Sequence, residues 1–162
     1  MSIDRRSLIL GASTLATLGA SGVTESEPPE ATVKRPKERV IGIGGLFFRS
    51  RDPKALAEWY ERHLGIDQTP TDYQQPVWQQ SAGPTIFAPF PMDTKYFGSP
   101  QQTWMVNFRV RNLDAMIVQL RASNIAVEPD PEVYPNGRFA RLHDPEGNPI
   151  ELWEPGGVAA RS

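Results

Sequence analysis

The chain carries Phe48-Arg49-Ser50-Arg51-Asp52-Pro53-Lys54-Ala55-Leu56 and, at an offset of 60, Phe108-Arg109-Val110-Arg111-Asn112-Leu113-Asp114-Ala115-Met116. Laid over one another, the two stretches share four residues in nine. Unrelated segments of that length would share well under about one identity, so the pair reads as two copies of one supersecondary unit. In each copy a strand leads into a helix. Val40 to Arg49 is β-branched and aromatic with central glycines, and Thr103 to Val110 alternates, with Trp104, Val106, Phe108 and Val110 on one face. Asp52 is then an N-cap with Pro53 at the first helical position, and Leu56, Trp59, Tyr60 and Leu64 form a helical apolar stripe that stops at Gly65. Asn112 caps the second helix, whose stripe is Leu113, Met116, Ile117 and Leu120, closing near Asn124.

Short strands follow each helix: Pro76 to Gln80 and Thr85 to Pro89 in the first copy, and Ala126 to Val133, Arg138 to His143 and Pro149 to Glu154 in the second. Between the last two, Asp144-Pro-Glu-Gly-Asn148 has the chemistry of a tight connection and predicts a hairpin. If His143 faces Pro149, then Arg141 faces Glu151 and Phe139 faces Trp153, and all of these side chains share one face of the sheet.

Composition narrows the function. The 162 residues include 17 Lys and Arg against 19 Asp and Glu, a net charge of -2, without a basic stripe to engage phosphates. Nucleic acid is therefore not an expected partner. With no cysteine, disulfides, thiolate metal sites and a cysteine nucleophile are excluded, and any metal must rest on His, Asp or Glu.

At the N-terminus, Arg5 and Arg6 precede an uncharged, mildly apolar run from Leu8 to Ala20. That layout resembles the twin-arginine export signal, and it is too short for a permanent membrane span. Residues 1–22 are read as the signal, addressed to the export machinery, with a periplasmic location; the alternative is cytoplasmic. Their removal leaves 15 basic and 18 acidic side chains, a charge of -3. Residues 23–39 are rich in Pro, Glu, Lys and Arg and read as a disordered linker, residues 40–155 as the folded domain, and 156–162 as a C-terminal tail.

The paired modules, Arg51-Asp52-Pro53 entering a Trp59-Tyr60 helix that ends Leu64-Gly65, and the closing Asp144-Pro-Glu-Gly-Asn-Pro-Ile-Glu-Leu-Trp-Glu154 together resemble the vicinal oxygen chelate superfamily. That superfamily includes glyoxalases, bleomycin-resistance proteins and extradiol dioxygenases. The resemblance implies an α+β fold of two tandem βαβββ modules, about residues 40–100 and 101–155, curled into an open half-barrel with ligands on the concave face and helices outside. Members often pair, so a homodimer is among the implied partners. Metal-dependent members draw ligands from the opening and closing strands of each module. Here those positions fall on Gly45, on Met105, on the Thr85–Phe90 segment without carboxylate or imidazole, and on Glu151. One carboxylate does not hold a divalent ion, so no cofactor is expected; the alternative is one divalent metal ion at Glu151.

Glu151 is accordingly the leading site residue, as a general base beside a bound carbonyl compound or as the cross-strand ion-pair partner of Arg141. His143 shares the parity of Arg141 and reads either as an acid-base group or as a solvated turn histidine. Arg49, Arg109 and Asn107 would orient an anionic or carbonyl ligand, or the arginines would extend to water. Phe47, Met105, Phe139 and Trp153 complete an apolar lining suited to a partly apolar small molecule. His63 lies beside the buried stripe of the first helix and reads as structural. Two long loops, Gln68 to Val77 and Pro91 to Gln102 with Lys95-Tyr96-Phe97-Gly98, are of the kind that cover sites. Three functions follow: an exported, metal-free binder of a small molecule; a metal-dependent lyase, isomerase or dioxygenase; or an interaction module whose half-barrel is filled by its own side chains.

Overall fold

The computed structural model describes Glu38 to Gly157, so the segment read as an export signal, nearly all of the segment read as a linker and the end of the tail lie outside the described residues. The chain divides between Gly44 and Gly45, and every helix and strand among the described residues lies in the second unit. Helix α1 spans Pro53–Leu64. The Asp52 carboxylate accepts the Ala55 N–H at 3.1 Å, and Gly65, at φ 68°, ends the helix in the left-handed conformation. Helix α2 spans Leu113–Ala122, capped by the Asn112 side chain on the Ala115 N–H at 2.9 Å. Both starts lie where the two copies of the repeat place them.

Strands β1 (Val106–Arg109), β2 (Glu128–Pro129), β3 (Gly137–His143) and β4 (Pro149–Pro155) form one mixed sheet in the order β1-β4-β3-β2. Strand β1 runs parallel to β4, and the other two pairings are antiparallel. The β3–β4 register pairs His143 with Pro149, Arg141 with Glu151 and Phe139 with Trp153, the arrangement expected from the hairpin turn. The sheet is open, and with its two helices it is the expected α+β class.

Period-2 alternation divides the sheet into two faces. Ala140, Leu142, Ile150 and Leu152 point to the helical side and are buried with Leu56 and Tyr60 of α1 and Leu113, Ile117 and Leu120 of α2. Val106 and Phe108 pack against the margin of this core. The opposite face carries Asn107, Arg109, Phe139, Arg141, Glu151 and Trp153.

The segments expected as strands at Val40 to Arg49, Pro76 to Gln80 and Thr85 to Pro89 form no ladder. β-branched and aromatic composition gives a segment the capacity for a strand, but a strand exists only where a second backbone pairs with it. Elsewhere Thr103 to Val110 contracts to Val106–Arg109, and Ala126 to Val133 contracts to Glu128–Pro129, the residues opposite Arg141 and Ala140.

The 144–148 turn also holds α1. Buried Asp144 accepts the Tyr60 hydroxyl at 3.0 Å, the N–H groups of Glu146 and Asn148, each at 2.9 Å, and the Asn148 amide at 2.7 Å. One residue pair further out, the Glu146 carboxylate accepts the backbone N–H groups of Arg51 and Asp52 and the Ser50 hydroxyl, all at 2.9 Å for Oε1. A negative charge at the N-terminus of a helix satisfies donors that the helix leaves free. Tyr60→Phe leaves Asp144 one donor short, and urea denaturation is expected to show a loss of about 1.5–3 kcal/mol with an unchanged m-value. The Asp52 and Arg51 amides hold the Glu146 carboxyl below its ordinary 4.5, so its contribution is complete above that value and is lost as the pH falls below it. In acid titrations of stability, wild type is expected to fall more steeply below pH 4.5 than Glu146→Gln.

Candidate functional site

Two cross-strand rows occupy the face opposite the helices. The first is Asn107, Glu151 and Arg141, brought into line by the β1–β4 and β3–β4 registers. Glu151 is only 5% exposed, and burial of a carboxylate requires donors for both oxygens. Its Oε2 accepts the Asn107 Nδ2–H at 2.7 Å. Its Oε1 accepts the Tyr96 hydroxyl at 2.7 Å and, more loosely, Arg141 Nε at 3.4 Å and Nη2 at 3.3 Å.

Tyr96 comes from the 91–102 loop. The Arg141 guanidinium carbon lies 4.2 Å from the centroid of its ring, within cation–π range, and Phe90 stacks on the same ring at 4.9 Å. Burial, then the hydrogen bond to Glu151, raises the Tyr96 pKa above its ordinary 10.0. Burial alone would lower the Arg141 pKa, but Tyr96 and Glu151 outweigh it and the net shift is upward. The phenol is thus held as a donor and the guanidinium as a cation.

The second row is Arg109, Trp153 and Phe139. The Trp153 and Phe139 rings are nearly parallel, 6.2 Å between centroids, and the indole N–H donates to the Asn136 carbonyl at 2.8 Å. Arg109 donates Nη1 to the Ala82 carbonyl at 3.1 Å and Nη2 to the Ser81 carbonyl at 2.7 Å. Gly83, at φ 155°, permits this approach: a Cβ there would lie 1.6 Å from Arg109 Nη1.

Of the residues singled out in the sequence, Asn107, Arg109, Phe139, Arg141, Glu151 and Trp153 therefore lie together. Met105 is half-buried just ahead of β1. Phe47 is 93% exposed, and Arg49 is exposed and takes no part in the Glu151 cluster. His143 is exposed at the end of β3, where it lines a cleft of about 280 Å³ with Trp59 and Asn124. A second cleft, about 480 Å³, lies beside α1 and the 144–148 turn. Neither opens on the Glu151 face, which is met by the chain's own Tyr96. His63 packs on Trp59 at 5.4 Å between centroids, in the structural position expected of it. Tyr96 is the residue that the sequence pattern missed as a partner of Glu151; its loop stood out by length, but nothing in a loop's composition fixes what it touches.

The donor set around Glu151 is one carboxylate, one amide, one phenol and one guanidinium. A divalent ion needs three or four donors and no competing cation. Among the described residues no three His, Asp or Glu side chains gather as a metal-holding group, and Arg141 already stands where a cation would balance Glu151. These residues do not fit a divalent metal.

Residues 45–153 match the model of the glyoxalase-like domain family. Among solved structures, a glyoxalase/bleomycin resistance protein from Streptomyces sp. CB03234 is 31% identical over 35% of this chain and 50% of that one, with a TM-score of 0.29. This chain thus spans half the length of that relative. TnmS3, an antibiotic binding protein from the same Streptomyces, is 22% identical over 65% of this chain and 88% of its own, with a TM-score of 0.40. The fosfomycin resistance protein FosX from Listeria monocytogenes is 20% identical over 36% and 50% of the two chains, with a TM-score of 0.30. No curated protein matches.

Proposed function

The chain belongs to the glyoxalase-like domain family, and from that premise we propose that it binds a small, partly apolar molecule on the β1–β4–β3 face, without a metal ion. The observation that carries this reading is the buried carboxylate of Glu151, held between Asn107 and Arg141 on a face whose next row is the half-buried Phe139 ring parallel to the buried Trp153. A few convergent polar groups beside aromatic surface are what a small-molecule site requires: the polar groups orient the ligand and the rings supply the apolar contact. The guanidinium counter-ion supports the metal-free form over a metal-dependent lyase, isomerase or dioxygenase of the same superfamily.

A second reading, an interaction module without a ligand site, draws on the closing of Tyr96 over this face. The two separate in a titration with 2-methoxynaphthalene, a neutral apolar probe, followed by NMR. The binding reading expects saturable shifts of the Trp153 indole and Asn107 amide signals, and about three- to tenfold weaker binding in Phe139→Ala. Signals that stay fixed at saturating 2-methoxynaphthalene and at saturating 2-naphthol alike overturn it and favour the interaction module.

Arg5 and Arg6, ahead of their apolar run, support delivery of this domain to the periplasm by the twin-arginine route. Replacing both by Lys is expected to leave the full-length protein in the cytoplasmic fraction; unchanged export refutes the route.

A further inference from the structure

We infer that Tyr96 occupies the place of the ligand, and that the ligand class is a hydroxyl-bearing planar aromatic, a phenol or its fused-ring equivalent, which enters by displacing Tyr96. The inference rests on the small-molecule reading above and names its substrate class.

The contacts of Tyr96 are those of a bound molecule more than of a fold. Its residue lies on a loop, outside the helices and strands, and is 37% exposed. Yet its hydroxyl reaches across 55 residues of chain to donate to Glu151 at 2.7 Å, and its ring lies on the Arg141 guanidinium at 4.2 Å. Strand pairing aligns Asn107, Glu151 and Arg141 in one row, and the Asn107–Glu151 and Arg141–Glu151 contacts do not pass through Tyr96, whose carbonyl takes only a long 3.5 Å contact from Arg141 Nη1. The phenol and its aromatic neighbours Phe90 and Phe97 all lie outside the core cluster, so its departure leaves that cluster intact.

Once Tyr96 is gone, the surface selects by chemistry. Glu151 Oε1 then loses its short donor and keeps only the looser Arg141 contacts at 3.3 and 3.4 Å, so a ligand that brings an O–H or N–H donor there restores the 2.7 Å bond. A carboxylic acid in its ionised form meets like charge at Glu151, and a hydrocarbon offers no donor. Arg141 presents a flat cation that favours an aromatic face. A group that joins a donor hydroxyl directly to such a face answers both demands, as the tyrosine side chain does. A site that hydrogen-bonds a hydroxyl discriminates strongly against the analogue lacking it. Tyr96 also competes with the ligand, so the apparent affinity is reduced by the fraction of chains in which it has swung away.

The test is calorimetric titration of the full chain with 2-naphthol and with 2-methoxynaphthalene, in wild type, Tyr96→Phe and Tyr96→Ala. Expected is a preference for 2-naphthol over its methyl ether of about tenfold or more, with 2-naphthol binding more tightly to both variants than to wild type. Tyr96→Phe keeps the ring and frees only the Glu151 oxygen, so it carries the test if Tyr96→Ala does not fold. Equal affinities for the two probes, or 2-naphthol affinity unchanged or reduced in the variants, overturn the hydroxyaromatic inference while the binding reading stands. Absence of binding by either probe to any of the three proteins overturns both.

Discussion

The pairing of Arg141 with Glu151 across the β3–β4 hairpin is the contact on which the rest of the structure turns, because the same register that brings them together sets every other pair between the two central strands of the sheet. A shift by one residue would carry Ile150 and Leu152 to the polar face and Glu151 into the apolar core. The cost of that exchange is what makes the register unique. Together with the parallel β1–β4 register it gives the rows Val106–Ile150–Leu142 and Phe108–Leu152–Ala140 on the helical side, and the rows Asn107–Glu151–Arg141 and Arg109–Trp153–Phe139 on the other.

The same hairpin serves the helices. Its turn offers Glu146 to the N-terminus of α1 and Asp144 to Tyr60. Its last strand offers Glu154 to the Leu113 N–H at the start of α2, in an ion pair with Arg138. Acidic side chains from one hairpin thus meet the first turns of both helices, where the helix leaves N–H groups free and carries partial positive charge. These contacts orient the helices on the sheet, while apolar burial supplies most of the driving force.

On the open face the decisive fact is charge compensation. A carboxylate as buried as Glu151 must be met by donors or by a cation. Here Arg141 supplies the cation, and Asn107 and Tyr96 supply the neutral donors. This arrangement differs from a metal centre in kind: it positions a hydrogen-bond acceptor beside aromatic side chains, and it draws one of its donors, Tyr96, from a loop outside the strand ladder.

Much of this was legible in the chain itself. Asp52-Pro53 and Leu64-Gly65 bound a helix because capping and left-handed termination are local properties, and Asp144-Pro-Glu-Gly-Asn148 sets a hairpin register because turn length and side-chain alternation are local as well. Hence the Arg141–Glu151 and Phe139–Trp153 pairs, and the common face of Asn107 and Arg109, follow from sequence alone. Tertiary structure decided the rest. The apolar segments of 40–49, 76–80 and 85–89 have strand composition but no ladder, since pairing depends on a second backbone that no local rule specifies. The meeting of Tyr96 with Glu151, and of Arg109 with the Ser81 and Ala82 carbonyls, depends on where long loops return in space, and loop composition carries no such address.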